Sequence, residues 1–127
     1  GAKATLTHLK SAGLTLGIVT SKPVSTATRG LDLFDLTHLF DVIVGCDSVV
    51  RHKPDPEPVL FALSELSQAA VDTLFIGDST HDIVSGNRAQ VSTAGVLWGP
   101  YDRKALEGVN PTYLVQNFPD LETICLS

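Results

Sequence analysis

The sequence lacks most features that mark secreted, membrane or nucleic-acid-binding proteins. Only two cysteines, Cys46 and Cys125, occur in 127 residues; they match no metal-site spacing, so we expect reduced thiols in the cytoplasm. No apolar stretch approaches the about 18 residues needed to span a bilayer, and the first residues do not form a signal-peptide pattern. With a net charge of -5 and no basic run, neither a nucleic acid nor a membrane is expected as a partner.

Aromatic residues are also scarce, at 6% of the chain, although 43% of the residues are hydrophobic. Val, Leu and Ile therefore supply most of the apolar side chains, which is typical of buried strands covered by helices. The length suits a compact unit with its own core, and no linker, repeat or low-complexity segment interrupts it. We predict a single domain over residues 1–127.

Short apolar runs alternate with segments of helical periodicity along the chain. This alternation predicts an α/β fold, a doubly wound (Rossmann-like) parallel sheet with helices on both faces. In the third helix, Asp55 is expected to be the N-cap, with prolines in the first turn. Strands are predicted at 14–20, 41–45, 73–77, 93–98 and 112–115, and helices at 3–12, 23–34, 56–67, 81–90, 102–108 and 119–126.

Polar side chains occur where ligands of such sheets bind, outside the carboxyl ends of the strands. Thr20 and Ser21 follow the first strand, Asp78 follows the third, and Lys53 lies in the loop before a helix. Asp82 comes four residues after Asp78. Hydroxyls, an ammonium and a carboxylate at one edge suit a phosphate group with a divalent cation.

Each of these residues also has a plainer interpretation. Thr20 and Ser21 could cap the next helix, and Lys53 could be a solvated loop lysine. Asp78 could be the N-cap of the helix after the third strand, and Asp82 an ordinary first-turn acid favoured by the helix dipole. Their joint occurrence, in this order at the strand ends, favours the phosphate and metal site.

Three segments carry a family resemblance: GIVTSKP at 17–23, HKPDPEP at 52–58 and FIGDSTHDI at 75–83. They resemble the second, third and fourth motifs of the haloacid dehalogenase-like hydrolases, and most closely those of phosphoglycolate phosphatases. The resemblance implies a Mg²⁺-dependent hydrolase of a small phosphorylated metabolite that works through an aspartyl-phosphate.

The resemblance also implies a role for each polar residue. Thr20 would hold the transferring phosphoryl group with Ser21 beside it, and Lys53 would bridge the nucleophile and the phosphate. Thr20 and Lys53 are thus the catalytic candidates. Asp78 would ligate Mg²⁺, and Asp82 would belong to the metal's shell.

The family's first motif, an apolar strand ending in Asp-x-Asp, has no counterpart in this sequence. In the family its two aspartates are the nucleophile and the general acid and base, and its strand lies between those that end here at Thr20 and Asp78. Asp32, Asp35 and Asp41 do not follow a strand and do not fit that role. We therefore expect the C-terminal part of a catalytic core, which needs its missing N-terminal segment and cap and is inactive alone. The alternative is a non-catalytic phosphate-binding or regulatory module.

Overall fold

The computed structural model describes residues 1–127 as an alternation of six α-helices and five β-strands, which confirms the predicted order of elements. No helix is long and apolar enough to cross a membrane. The helices are α1 (Ala2–Ser11), α2 (Val24–Leu33), α3 (Glu57–Leu66), α4 (Thr80–Arg88), α5 (Arg103–Glu107) and α6 (Phe118–Leu126). The strands are β1 (Gly17–Val19), β2 (Val42–Val44), β3 (Leu74–Gly77), β4 (Ser92–Val96) and β5 (Tyr113–Val115).

All strand pairs are parallel, as predicted, but they form two sheets rather than one. In the first sheet β1 pairs with β2, with Ile18 opposite Ile43. In the second the order is β3-β4-β5, with Ile76 opposite Ala94. No hydrogen bonds join β1 to β3, so the sheet is interrupted between the two strands that precede Thr20 and Asp78.

Helices cover both faces of the second sheet. Successive residues of β3 point to opposite faces, as strand geometry requires. Phe75 packs on an apolar cluster formed by α3 and the segment that joins α4 to β4, whereas Leu74 packs on a cluster beneath α6. The first cluster contains Val59, Leu63, Ala89 and Val91, and the second contains Ala94, Val96, Val115 and Leu121. Helix α3 also packs against β1, β2 and α4, and so connects the two sheets.

An apolar cleft of about 510 Å³ lies between the sheets. Ile18 of β1 and Ile76 of β3 are among its lining residues. Inner strands of parallel sheets are normally covered on both faces and paired on both edges. Here Ile76 is 38% exposed, and both β1 and β3 have one edge without a strand partner.

The first strand begins at Gly17, later than predicted, although the Asp41 N–H donates a hydrogen bond to the Leu16 carbonyl at 2.7 Å. The Leu16 N–H donates a hydrogen bond to the Asp41 carboxylate at 3.0 Å, and the Lys10 ammonium donates to the same oxygen. The Lys10 bond and, next, the Leu16 bond hold the pKa of the Asp41 carboxyl below its usual range. This contact depends on a residue 25 positions away, so the local apolar run could not reveal it.

The N-cap of α3 is Pro56 and not Asp55, which corrects the predicted boundary by one residue. The Asp55 carboxylate nevertheless accepts a hydrogen bond from the Glu57 N–H at 2.9 Å. It therefore satisfies a first-turn donor, which is the function of a capping side chain.

The fully buried Leu106 and the exposed Leu33 allow a matched test of the core. Leu106 is 0% exposed, whereas Leu33 is 79% exposed. We expect Leu106→Ala to lower the free energy of unfolding by about 2–5 kcal/mol, because it leaves a cavity. Leu33→Ala should change it by less than about 0.5 kcal/mol. Urea denaturation of both variants measures the difference, and equal effects would contradict the packing described.

Candidate functional site

The turn between β3 and α4 is fixed by a reciprocal pair of side chains. Ser79 is the N-cap of α4, and its hydroxyl accepts a hydrogen bond from the Asp82 N–H at 3.1 Å. Asp82 Oδ2 in turn accepts from the N–H groups of Asp78 at 3.1 Å and Ser79 at 3.2 Å. This capping box satisfies helix-terminal donors that have no partner within the helix. Asp78 is therefore not the N-cap, and the plainer interpretation of that residue is wrong.

Gly77 allows Asp82 to approach the end of β3. A Cβ atom built at residue 77 would lie 2.2 Å from Asp82 Cβ and 2.7 Å from Asp82 Oδ2. No side chain fits in that space without a shift of the turn. The glycine that precedes Asp78 is thus required by packing.

Asp82 also binds the ammonium of Lys53. Lys53 Nζ donates to Asp82 Oδ1 at 2.6 Å, and the two side chains are only 13% and 10% exposed. The interpretation of Lys53 as a solvated loop lysine is therefore wrong. Both oxygens of Asp82 have donors, so the buried charges are paired and hydrogen-bonded as stability requires.

One face of α4 holds the loop that carries Lys53. Asp82, Ser85 and Arg88 are spaced three residues apart, which places them on the same side of the helix. The Ser85 hydroxyl donates to the Asp55 carbonyl at 2.7 Å. An Arg88 side-chain nitrogen lies 3.5 Å from the carbonyl oxygen of Pro54. The position of Lys53 is therefore set by α4.

Asp78 has the opposite environment from Asp82. It is exposed, and only its main-chain N–H takes part in a hydrogen bond. Its carboxylate is free to bind a cation. No group of three or more His, Cys, Asp or Glu side chains is arranged to hold a metal ion. A single carboxylate nevertheless fits Mg²⁺, which commonly keeps several waters and is completed by phosphate oxygens. The metal roles of Asp78 and Asp82 stay predictions.

Thr20 and Ser21 follow β1, in the other sheet. The Thr20 hydroxyl accepts a hydrogen bond from the Lys22 N–H at 3.2 Å. Neither residue caps α2, because the Val24 N–H donates to Asp47 Oδ1 at 3.0 Å. The helix-capping interpretation of Thr20 and Ser21 is therefore wrong.

Hydrogen bonds connect some of the predicted site residues and not others. Lys53 and the Asp78 turn are joined through Asp82, whereas Thr20 has no hydrogen bond to any of them. The sequence analysis did not identify Ser79 as the N-cap of α4, although a serine three residues before an acid is a local capping signal. It also missed Asp47, which caps a helix 23 residues away and leaves no local signal.

The comparison with protein families agrees with these motifs. Residues 1–96 match the model of the haloacid dehalogenase-like hydrolases, and the chain belongs to this family. The family model covers the Lys53 loop, the turn after β3 and all of α4.

Curated relatives extend over nearly the whole chain. Pyrophosphatase PpaX of Oceanobacillus iheyensis is 40% identical over 94% of this chain, which corresponds to 56% of that protein. Pyrophosphatase PpaX of Bacillus velezensis is 41% identical over 92% of this chain and 54% of that protein. The chain therefore spans about half the length of the curated relatives it matches.

A solved structure shares both the fold and part of the sequence. A protein described as a predicted phosphoglycolate phosphatase from Haemophilus somnus superimposes with a TM-score of 0.89 and 30% identity. The match covers 96% of this chain and 54% of that one. The predicted α/β fold class is confirmed by this similarity and by the parallel strands.

The two acids of the turn allow a matched stability test. We expect Asp82→Asn to lower the free energy of unfolding by about 3–5 kcal/mol, because it leaves the Lys53 ammonium buried without a counter-charge. Asp78→Asn should change it by less than about 0.5 kcal/mol, since that carboxylate is exposed and unpaired. Urea denaturation of the 127-residue chain compares the two, and a larger effect at Asp78 would contradict this assignment.

Proposed function

We propose that this chain is part of a Mg²⁺-dependent phosphohydrolase that acts on a small phosphorylated metabolite through an aspartyl-phosphate. The turn after β3 carries the proposal, because one carboxylate there is free and the next one holds a lysine ammonium 2.6 Å away. Membership of the haloacid dehalogenase-like hydrolases supports the reaction class. The cytoplasmic location stays a prediction.

In this proposal each residue binds or positions the phosphate and the cation. Mg²⁺, held by Asp78 with water and phosphate oxygens, would offset the negative charge of the phosphoryl group. Lys53 would donate to a phosphoryl oxygen, and its pairing with Asp82 places it before the substrate arrives. Thr20 and Ser21 would complete the phosphate site. Asp82 would shape the metal's shell by fixing the main chain at Asp78.

The cleft between the sheets could hold a further strand that carries the attacking group. An apolar strand inserted there would pair with the free edges of β1 and β3 and complete one parallel sheet. Its carboxyl end would then lie between Thr20 and Asp78. We propose that the family's Asp-x-Asp occupies this position, with its first aspartate as nucleophile and its second as general acid and base.

The curated relatives favour a second candidate substrate. The proteins that are about 40% identical to this chain are named pyrophosphatases, whereas the phosphoglycolate phosphatase match is a solved structure at 30% identity. Both substrates present phosphoryl oxygens, which the same hydroxyls, ammonium and cation would bind. Pyrophosphate is therefore the alternative to a small phosphomonoester.

Activity should depend on the Asp-x-Asp strand. We expect the 127-residue chain alone to hydrolyse para-nitrophenyl phosphate no faster than background, because groups that only bind phosphate do not supply an attacking carboxylate. A protein in which this chain is joined to a segment carrying the Asp-x-Asp motif, called here the joined protein, should show Mg²⁺-dependent turnover. In it, Asp78→Asn and Lys53→Ala should each lower kcat by about 100-fold or more.

The same two types of substitution at exposed residues away from the site provide controls. Asp120→Asn on α6 and Lys104→Ala on α5 should leave kcat of the joined protein unchanged. Turnover by the 127-residue chain alone would mean that another residue is the nucleophile. Phosphate binding without turnover in the joined protein would favour the non-catalytic phosphate-binding or regulatory module.

Competing substrates separate the two candidates. With the joined protein at fixed Mg²⁺, the preferred substrate is the compound with the higher kcat/KM, and a tenfold difference corresponds to about 1.4 kcal/mol of transition-state stabilisation. Steady-state release of inorganic phosphate measures both. A higher value for phosphoglycolate would support the small phosphomonoester, and a higher value for pyrophosphate would select the alternative.

A further inference from the structure

No hydrogen bond explains how the Asp78 side chain is held at its position. Only its main-chain N–H is bound, by Asp82 Oδ2 at 3.1 Å. The main chain of Gly99, in the loop after β4, lies directly against this side chain. A Cβ atom at residue 99 would lie 2.6 Å from Asp78 Cβ and 3.4 Å from Asp78 Cγ.

Residue 99 must be glycine because no space is left for a side chain, and not because of its backbone conformation. Its φ lies outside the left-handed region, so the backbone itself would accept alanine. The atom that a methyl group would strike is Asp78 Cβ, which is bonded to the main chain and cannot rotate away. One of the two loops would have to shift.

Contacts made by the two residues before Gly99 hold its loop in place. The Leu97 N–H donates to a carbonyl of β5 at 2.8 Å, which extends the pairing of β4 and β5. The Trp98 ring packs on Phe118 of α6, with ring centroids 4.7 Å apart. Because the Gly99 loop is anchored at Leu97 and Trp98, a methyl group at residue 99 would displace the turn that carries Asp78.

We propose that Gly99 is a positioning residue for Asp78, and that the absence of a side chain at residue 99 sets the affinity of the site for a divalent cation. The inference rests on the proposed function, because it assigns Mg²⁺ to Asp78. Gly99 lies beyond residues 1–96, which match the family model. Its role follows from the contact of two neighbouring strand-end loops.

The test compares two glycines at which an added Cβ would lie 2.6 Å from its nearest neighbour. Gly99→Ala in the joined protein should raise the Mg²⁺ concentration for half-maximal turnover by about 10- to 100-fold, as loss of a supporting contact to a metal ligand does. Gly86→Ala places a Cβ 2.6 Å from Thr93 Cγ2, within α4 and away from the turn. It should lower the melting temperature without changing that concentration.

A second measurement does not depend on turnover. In amide NMR spectra of the 127-residue chain, Mn²⁺ should broaden the resonances of Gly77 and Asp78, and Gly99→Ala should weaken this broadening whereas Gly86→Ala should not. An unchanged Mg²⁺ concentration for half-maximal turnover and unchanged broadening in Gly99→Ala would overturn the inference alone, provided that Asp78→Asn abolishes the Mg²⁺-dependent turnover and the broadening. If Asp78→Asn changes neither, the proposed function fails and the inference fails with it.

Discussion

The ion pair between Lys53 and Asp82 joins the two sheets at the candidate site. Lys53 belongs to the loop that leaves β2, and Asp82 to the helix that follows β3. The Asp82 carboxylate also accepts two N–H groups of the turn that carries Asp78. One side chain therefore sets the position of the ammonium, the course of the turn and the start of α4. The proposed roles of Lys53 and Asp78 both depend on that carboxylate.

A buried ion pair of this kind is not the most stabilising choice for a core. Removing two charges from water costs free energy that their attraction only partly recovers, and apolar replacements are often as stable. The pair is better explained by what it positions. An ammonium held in advance can interact with a phosphoryl group without reorganising, which is the main source of electrostatic catalysis in enzymes.

The order of the elements could be predicted because short, mostly apolar runs alternate with segments of helical periodicity along the chain. The residues that follow β1 and β3 were also identifiable, since parallel strands present their carboxyl ends at one edge. The pairing of Lys53 with Asp82 was not predictable, because it joins residues 29 positions apart through the packing of α3 against α4. The tight contact at Gly99 likewise exists only once two loops are adjacent. Contacts across the fold, rather than local patterns, thus decide which acid is free.

The unpaired edges of β1 and β3 have a consequence for the behaviour of the chain in concentrated solution. Strand edges with free N–H and C=O groups are templates for pairing with other chains, and natural proteins usually block them with charge, proline or a covering segment. The edges here flank an apolar cleft instead. Copies of the chain can therefore extend one another's sheets, so self-association competes with any strand that would fill the cleft.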